Sequence, residues 1–233
     1  SNNISKGVSS TEKGVMVQNK QAEIDLWYHE RKALAKGYRV IAGVDESGRG
    51  PLAGPVVAAA VILPLYCEIE GINDSKQLSP QQRQQVFEKI REVASAIGIG
   101  IVEEKEIDKI NILQATYRAM RGAISGLLTH VDYVLVDGYP ISGYDKPQEG
   151  IIGGDAKSAS IAAASIVAKV VRDRIMCIYD CIFPGYGFAQ HKGYPTEEHL
   201  RKLSTHGVCE IHRRSFNPIA EKIQCRQIAL PWE

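Results

Sequence analysis

One stretch, residues 40–50 with the sequence VIAGVDESGRG, limits what this chain can fold into more than any other. Its apolar first half predicts a buried strand that runs directly into the acidic pair Asp45 and Glu46. Carboxylates held near apolar neighbours are costly unless a cation or a hydrogen-bond donor lies beside them. The glycines of the Gly-Arg-Gly at 48–50 let the backbone approach a ligand closely. The stretch therefore predicts a site for metal ions and phosphate at the end of a strand.

The two acids are adjacent in the chain, and this adjacency constrains the backbone. Side chains next to each other in a regular strand point to opposite faces of the sheet. Asp45 and Glu46 can therefore share one site only if the strand ends or bulges there. The Ser-Gly-Arg-Gly that follows favours an ending, so we predict a strand over 38–45 and a turn directly after the acids.

Composition sets the class of protein but not its substrate. The chain has 233 residues, of which 44% are hydrophobic and 24% charged, as expected for a globular protein with its own core. The formal net charge is +1, so any surface that binds nucleic acid has to be a local basic patch. The five cysteines lack CxxC spacing, which is typical of reduced thiols. The apolar run 51–66 is broken by prolines and a glycine, and we expect a cytoplasmic protein without a membrane segment.

Alternating hydrophobic periodicities predict an α/β fold. Some stretches repeat apolar residues at helical spacing, and short runs rich in Val, Ile and Ala lie between them. Ser79 is a suitable N-cap and Pro80 a suitable first residue for one helix. The predicted strands are 38–45, 56–63, 96–102, 132–137 and a short one at 151–152. The predicted helices are 20–37, 80–93, 104–128, one that begins near 158, and a short one from about 195 in an otherwise looped C-terminal segment.

Acidic side chains follow three of the predicted strands. Asp45, Asp137 and Asp155 each come at or just after a strand end, where ligands collect in α/β sheets. Together with Glu46 they supply the oxygen ligands that Mg²⁺ and Mn²⁺ prefer. Two such cations roughly 3.5–4 Å apart would activate water and stabilise the leaving oxygen of a phosphodiester. Two simpler alternatives stay open, in which Asp137 is only a turn residue and Asp155 is only a helix N-cap.

Six motifs carry a resemblance to a known family. They are, in chain order, GVDESGRGPLAGPVVAAAVIL, DSKQLSPQQR, VLVDG, GDAKSASIAAASIVAKVVRD, YGFAQHKGYPTEEH and HRRSF. Over about residues 37–218 the chain resembles bacterial ribonuclease HII. The resemblance implies an RNase H-like α/β fold, with a mixed five-stranded sheet flanked by helices and a C-terminal helical region. It also implies a metal-dependent endoribonuclease with two Mg²⁺ or Mn²⁺ ions. Such an enzyme cleaves RNA in RNA/DNA hybrids and 5′ of single ribonucleotides in duplex DNA, leaving 3′-hydroxyl and 5′-phosphate ends.

The same resemblance assigns roles to particular residues. The catalytic and metal-binding acids would be Asp45, Glu46, Asp137 and Asp155. The residues that contact the ribonucleotide junction and its 2′-hydroxyl would be Gly48, Arg49 and Gly50, with Tyr194 stacking on the next sugar. The residues near the phosphates would be Lys76, Lys157, Arg213 and Arg214. Simpler alternatives are solvated surface charge for the basic residues and an exposed loop aromatic for Tyr194.

The resemblance, together with the sequence patterns at the two ends of the chain that lie outside it, suggests how the chain is divided. We expect a disordered leader or tag at 1–19, an N-terminal helix at 20–37, a catalytic domain at 38–185, a substrate-closing region at 186–226 and a tail at 227–233. We expect a monomer. Two other functions stay open: a catalytically idle module that binds hybrids, and another nuclease of the same fold such as the type 3 enzyme. Incision at a single ribonucleotide in DNA would favour type 2.

The extreme C-terminus gives a separate hypothesis about a partner. Residues Gln227 to Trp232 are similar to the short Q-x-x-L-plus-aromatic peptides that dock in the pocket of bacterial sliding clamps. A frayed tail with a buried tryptophan is the simpler alternative. The clamp hypothesis predicts that removal of 227–233 abolishes binding to a sliding clamp.

Overall fold

The computed structural model of the protein describes residues 25–72 and 77–228. Its centre is one sheet with the strand order β3-β2-β1-β4-β5. The strands are β1 (Ile41–Ser47), β2 (Val56–Ile62), β3 (Ala96–Val102), β4 (Tyr133–Asp137) and β5 (Gln148–Ile151). The helices are α1 (Tyr28–Ala35), α2 (Pro80–Val93), α3 (Glu104–Gly126), α4 (Ala159–Ile182), α5 (Phe188–His191), α6 (Glu197–His206) and α7 (Ile219–Ile228). A 3₁₀ turn at Gly154–Ala156 precedes α4.

The pairing of the strands sets which strand ends meet. Strand β1 pairs antiparallel with β2 and parallel with β4, and β4 pairs parallel with β5. Because β1 and β4 run in the same direction as neighbours, their carboxyl ends lie side by side. Those ends carry Glu46 and Asp137. The mixed five-stranded sheet flanked by helices, which the resemblance implies, is confirmed.

Glycines in the strands bring two long helices close to the sheet. A Cβ atom on Gly100 of β3 would lie 1.9 Å from the carbonyl oxygen of Ala119 in α3. A Cβ atom on Gly43 of β1 would lie 2.1 Å from the carbonyl carbon of Ser160 in α4. No side chain fits at either place, so α3 and α4 pack directly on the backbone of opposite faces. Strand β1 and helix α4 are therefore held in fixed register beside the acids.

Several predicted element bounds are confirmed, and others are wrong. The short strand predicted at 151–152 is found at Gln148–Ile151. Helix α2 begins at Pro80 behind a capping box formed by Ser79 and Gln82, as the sequence predicts. Strand β3 covers the predicted residues 96–102. The first strand does not end at Asp45 but continues to Ser47, because its pairing with β2 persists to that residue. The acidic pair therefore lies in a part of β1 that still pairs with β2 but, beyond Val44, no longer pairs with β4.

The C-terminal segment contains more helix than the sequence predicts. One short helix is expected there, and the structure has α5, α6 and α7. Helix α6 follows the N-cap Thr196, whose side chain accepts a hydrogen bond from the His199 N–H. Helix α5 is a single turn with Phe188 and His191 buried, and four residues are too few to show a periodic pattern. None of the helices in the described ranges has the length and apolar character needed to cross a membrane.

Helix α1 packs on the domain, as predicted, but it is shorter than the predicted 20–37. It starts at Tyr28, and residues 20–24 of the predicted helix lie outside the described ranges. Its buried Glu30 accepts hydrogen bonds from Ser158 Oγ at 2.7 Å and from the Ser160 N–H at 3.0 Å. A carboxylate is favourable at the N-terminus of a helix, so α1 caps the start of α4.

Candidate active site

Asp45 is a buried carboxylate among other carboxylates. Its side chain is 5% exposed and accepts a hydrogen bond from the Glu46 N–H at 2.7 Å. Burial raises the pKa of Asp45 well above its ordinary value, and the charges of Glu46 and Asp137 raise it further. A hydrogen bond with Ser165 of α4 opposes this rise. A carboxylate placed in this way would be stabilised by a cation.

Glu46 is less buried and has a basic neighbour. Burial raises the pKa of Glu46, and Arg49 opposes the rise through its charge and a hydrogen bond. Arg49 Nη1 lies 3.3 Å from Glu46 Oε1, and the arginine side chain is half-exposed. The half-exposed side chain of Arg49 is therefore accessible to a ligand.

Asp137 connects the end of β4 to the turn that carries Asp155. Its Oδ1 accepts a hydrogen bond from the Gly154 N–H at 2.6 Å. Asp155 is 5% exposed and lies in the 3₁₀ turn before α4. The N-cap of α4 is Ser158, whose side chain accepts from the Ile161 N–H, so the alternative of Asp155 as the N-cap is wrong. Three chain segments thus bring their acids to one edge of the sheet.

The four acids have the chemistry of a site for hard cations. Carboxylate oxygens suit Mg²⁺ and Mn²⁺, and burial without a close cation is costly for Asp45. Among residues 25–72 and 77–228, however, no three Asp, Glu, His or Cys side chains are arranged to hold a metal ion. The donor set fits divalent cations, although its side chains do not form a closed cage in this structure.

A cleft lies next to the acids, between β1, the loop after it, α2 and α4. Two basic side chains of this cleft are absent from the sequence prediction: Arg83 of α2 and Lys169 of α4. Lys169 Nζ is 2.6 Å from Asp173 Oδ1, and Arg83 Nη2 donates to the Leu78 carbonyl at 2.8 Å. The residues that line the cleft are Glu46, Ser47, Gly48, Arg49, Gly50, Arg83, Asp155, Ser165, Ile166, Lys169 and Tyr194. It therefore presents carboxylates and basic groups side by side, as a phosphodiester substrate with metal ions requires.

Comparison with known proteins decides the family. The family model described as Ribonuclease HII matches residues 42–219. The chain belongs to the ribonuclease HII family. A Ribonuclease HII of Enterococcus faecalis is 49% identical over 222 residues, covering 94% of this chain and 87% of that protein. The chain is accordingly a ribonuclease H, an endonuclease that hydrolyses phosphodiester bonds.

Solved structures agree with the fold. The ribonuclease H2 of Pyrococcus horikoshii OT3 superposes with a TM-score of 0.68 at 26% identity, covering 81% of this chain and 99% of that one. A ribonuclease HII solved in a complex with PCNA from Archaeoglobus fulgidus superposes with a TM-score of 0.63 at 24% identity, covering 77% and 96%. The RNase H-like α/β fold implied by the sequence resemblance is confirmed.

Arg213 does not lie where the predicted contact with a phosphate would place it in this ribonuclease HII family member. The side chain is fully buried and donates to the carbonyl oxygens of Gly48, Arg49 and Gly54. Burial and, to a smaller degree, the charge of Arg172 lower the pKa of Arg213 to about 9. A guanidinium enclosed by backbone carbonyls cannot reach a phosphate, so the predicted phosphate contact is wrong for Arg213. Arg213 instead holds the Gly-Arg-Gly loop in place through hydrogen bonds to its backbone carbonyls.

A second buried arginine, missed by the sequence analysis, supports the same region. Arg172 of α4 is fully buried and donates to the carbonyl oxygens of Ala53, Pro55 and Lys192. It therefore joins the segment after the Gly-Arg-Gly loop to the segment that carries Tyr194. The signal available in the sequence was weak, because an arginine in an apolar helix is more often a solvated side chain.

The other predicted substrate residues lie in different surroundings. Tyr194 lines the cleft with 40% of its surface exposed, and its ring is 3.8 Å from where a Cβ on Gly50 would be. Lys157 is exposed and donates through Nζ to the Ile152 carbonyl at 2.7 Å. Arg214 is exposed, whereas Lys76 lies outside the described residues. The roles of these residues at the substrate stay predictions.

Proposed function

We propose that this ribonuclease H cleaves RNA in RNA/DNA hybrids and incises duplex DNA 5′ of a single ribonucleotide. The products would carry 3′-hydroxyl and 5′-phosphate ends, and two Mg²⁺ or Mn²⁺ ions would be required. The observation that carries the proposal is the meeting of acids from three segments at one sheet edge, tied by the hydrogen bond from Gly154 to Asp137. Membership of the ribonuclease HII family supports it.

The acids would hold the cations, and each has a defined part. Asp45, buried between Glu46 and Asp137, would be an inner ligand, because it gains most from a neighbouring positive charge. Glu46 and Asp155 line the cleft and would complete the oxygen ligands on its open side. Bound divalent cations supply an activated water and stabilise the leaving oxygen. The protein's own contribution is to hold these carboxylates on β1, β4 and the turn before α4.

The ribonucleotide would be recognised by the loop of residues 48–50, which faces Tyr194. A 2′-hydroxyl is the group that distinguishes RNA from DNA, so recognition needs polar groups at the sugar. The backbone of Gly48 and Gly50, together with Arg49, lies beside the acids in the same cleft. Tyr194 faces this loop and presents an aromatic surface on which a neighbouring sugar or base can stack. The cut would thus be placed next to the hydroxyl that is recognised.

Cleavage of defined duplexes tests the proposal. With Mg²⁺ or Mn²⁺, a duplex that contains one ribonucleotide should be incised on its 5′ side, and an all-DNA duplex should stay intact. Asp45→Asn keeps the size of the side chain and removes its charge, so incision should fall by roughly 10²–10³-fold or more. Incision by Asp45→Asn at the wild-type rate would contradict the mechanism. Binding of the hybrid without any cleavage would identify the idle module instead.

We also propose the C-terminal tail as a contact for a sliding clamp. Helix α7 is described to Ile228, and residues 229–232 of the clamp-like peptide lie outside the described ranges. Support comes from the peptide pattern and from the ribonuclease HII that was solved with PCNA. Deletion of 227–233 should abolish binding to a bacterial sliding clamp and leave incision of a short duplex unchanged. Unchanged clamp binding, or none by the full chain, would end this proposal.

A further inference from the structure

Two buried histidines lie beneath the segment that carries Tyr194. His199 of α6 and His212 of the following segment are 0% and 1% exposed. The rings of Phe188 and His191 pack against that of His199, with His191 stacked on it at a centroid distance of 4.3 Å. Neither His199 nor His212 takes part in the acidic site, so the contacts of the two buried rings must be explained in another way.

The contacts of these rings define one continuous hydrogen-bond chain. His199 Nδ1 lies 2.9 Å from the Tyr194 carbonyl oxygen, and its Nε2 lies 3.1 Å from His212 Nε2. At the far end, His212 Nδ1 accepts from the Cys209 N–H at 3.0 Å and lies 3.1 Å from Cys209 Sγ, whose thiol can also donate to it. The chain therefore runs from the backbone of one segment to the backbone of another through two rings.

Only one placement of the protons satisfies every contact in the chain. The Tyr194 carbonyl can only accept, so His199 must donate from Nδ1 and accept at Nε2. His212 must then donate from Nε2, and its Nδ1 is left to accept from the Cys209 N–H. Both rings are neutral with a fixed tautomer. Burial agrees with this assignment, since it lowers the pKa values of His199 and His212 to about 4.

The Tyr194 segment is held from the other side as well. His191 Nδ1 accepts from the Gly193 N–H at 3.1 Å, and the Gly193 carbonyl accepts from the Leu52 N–H at 2.8 Å. A Cβ on Gly193 would lie 2.4 Å from the Ala53 carbonyl oxygen, so the two segments are in direct backbone contact. The carbonyl of Tyr194 is the point at which the histidine chain adds to these contacts.

We propose that His199 and His212 are positioning residues, whose hydrogen-bond chain holds the Tyr194 backbone and thereby sets the ring of Tyr194 at the substrate cleft. The inference rests on the proposed role of Tyr194 at the substrate. The chain ends on the Tyr194 carbonyl, which also accepts from the Thr196 N–H at 2.8 Å, so loss of the chain removes one of two hydrogen bonds at this carbonyl and loosens the residue without touching the acids. It should therefore act on substrate binding more than on the chemical step.

Two variants of His199 separate positioning from packing. His199→Phe fills the space but donates nothing to Tyr194, whereas the amide nitrogen of His199→Asn lies about where Nδ1 lies and can still donate. Hydrogen exchange of the peptide 191–196 should be roughly tenfold faster in His199→Phe and near wild type in His199→Asn. On a duplex with one ribonucleotide, KM should rise roughly tenfold in His199→Phe with kcat within about threefold, and His199→Asn should restore KM.

The partner ring provides a coupling test. His212→Phe should show the same changes to a smaller degree, because His199 loses the donor that fixes its tautomer. The double variant should be no worse than His199→Phe alone, since both changes interrupt one chain. Leu127→Ala is the control for lost stability, because Leu127 is buried in the core on the α3 face of the sheet. It should lower Tm without changing exchange of 191–196 or KM.

The outcomes separate this inference from the proposed function. Equal effects of His199→Phe and His199→Asn, unchanged exchange in His199→Phe, or additive effects in the double variant would overturn the positioning role. Faster exchange in His199→Phe with an unchanged KM would also overturn it if Tyr194→Ala raises KM. If Tyr194→Ala leaves KM unchanged, the proposed role of Tyr194 fails, and the exchange data alone decide whether the histidines hold the segment.

Discussion

Two adjacent arginines of the C-terminal segment have opposite surroundings. Arg213 is fully buried and donates to carbonyl oxygens of the Gly48–Gly54 segment, whereas the side chain of Arg214 is exposed. A planar guanidinium with several donors can bind three carbonyls at once, which a lysine ammonium cannot do with the same geometry. The buried arginine also lies in the field of Glu104, whose pKa burial raises to about 7. Arg213 thus stabilises the loop beside the acids through geometry that no other side chain reproduces.

Substitution of each arginine should have a distinct effect. Arg213→Lys keeps the charge but leaves buried carbonyls without donors, so the free energy of unfolding should fall by about 2–4 kcal/mol. For a chain of this size the corresponding drop in Tm is roughly 5–10 °C, measurable by thermal denaturation. Incision should fall as well, because the Gly-Arg-Gly loop loses its support.

Arg214→Ala is the matched control for Arg213→Lys. Loss of an exposed side chain should change the free energy of unfolding by less than about 0.5 kcal/mol. If Arg214 contacts a phosphate, as predicted, the slope of log affinity against log salt should decrease by about 1 for a duplex substrate. A stable Arg213→Lys protein with wild-type incision would show that the loop does not depend on this residue.

The acids can be recognised from the sequence, but the surroundings of the two arginines cannot be predicted from it. Asp45, Asp137 and Asp155 are recognisable because each follows a run of strand-forming residues. Arg213 and Arg214 are equivalent in sequence, and only packing against the Gly-Arg-Gly loop determines which of them is buried. The same holds for Lys169, whose place in the cleft depends on how α4 lies on the sheet.

At the scale of elements, the contact between β3 and α3 depends on glycine. A Cβ on Gly100 would come within 1.9 Å of the Ala119 carbonyl oxygen, a backbone atom that cannot move without the helix. Gly122 lies in α3 on the same interface, but a Cβ there would meet its nearest atom, the Gly100 Cα, at 3.6 Å. The two glycines therefore differ in what a methyl group would encounter.

Alanine substitutions of these two glycines should differ in their effect on stability. Gly100→Ala should lower the free energy of unfolding by about 3 kcal/mol or more, because the methyl group forces α3 away from the sheet. Gly122→Ala should leave stability unchanged or raise it by about 0.5–1 kcal/mol through higher helix propensity. Urea denaturation of both variants checks the prediction. Equal destabilisation would mean that the helix can shift without cost or that Gly122 is more tightly packed than its distances indicate.

Elements with strong local signals were predicted well, and those fixed by tertiary contacts were not. The Ser79 cap and the Ala96–Val102 strand have clear sequence patterns, and their bounds are confirmed. The sequence predicts too early an end for β1, because pairing with β2, which the sequence does not show, extends the strand to Ser47. Helix α5 was missed because one turn stabilised by buried rings has no periodicity to detect.

At the scale of the whole molecule, the acidic edge makes stability depend on divalent cations. Asp45, Glu46 and Asp137 repel one another in the folded state, and an unfolded chain separates them. A cation that binds only the folded protein stabilises it by about 2.7 kcal/mol at a hundred times its Kd. Saturating Mg²⁺ or Mn²⁺ should therefore raise Tm by roughly 5–10 °C.

Two controls test whether the rise in Tm requires a cation bound to the acids. NaCl at matched ionic strength should not reproduce the rise in Tm, because screening alone supplies no inner-sphere ligand. Asp45→Asn should lose most of the rise while melting at or above the Tm of the metal-free wild type, since one repelling charge is removed. A Tm that ignores both cations in the wild type would contradict a shared acidic site.

Stability against pH tests the histidine chain in the folded molecule. The pKa values of His199 and His212 are about 4 in the fold and ordinarily 6.5, so the unfolded chain binds more protons between these values. The free energy of unfolding contributed by the two rings therefore falls as pH drops from about 6.5 to 4. Glu104 acts in the opposite sense, because its raised pKa of about 7 favours the fold as pH falls from 7. The stability of the wild type measured against pH would therefore combine the opposite contributions of the histidines and Glu104.

The difference between two proteins isolates the histidines. His199→Phe/His212→Phe removes both titrating rings and keeps Glu104, together with the neighbouring His191, Tyr186 and Cys209. In metal-free buffer the wild type should be more stable than this variant at pH 7, and the gap in Tm should narrow steadily between pH 6.5 and 4. A gap that stays constant over this range would mean that the two histidines are not held neutral in the fold. Because the other titrating groups are present in both proteins, the slope of the gap reports mainly the proton uptake of His199 and His212.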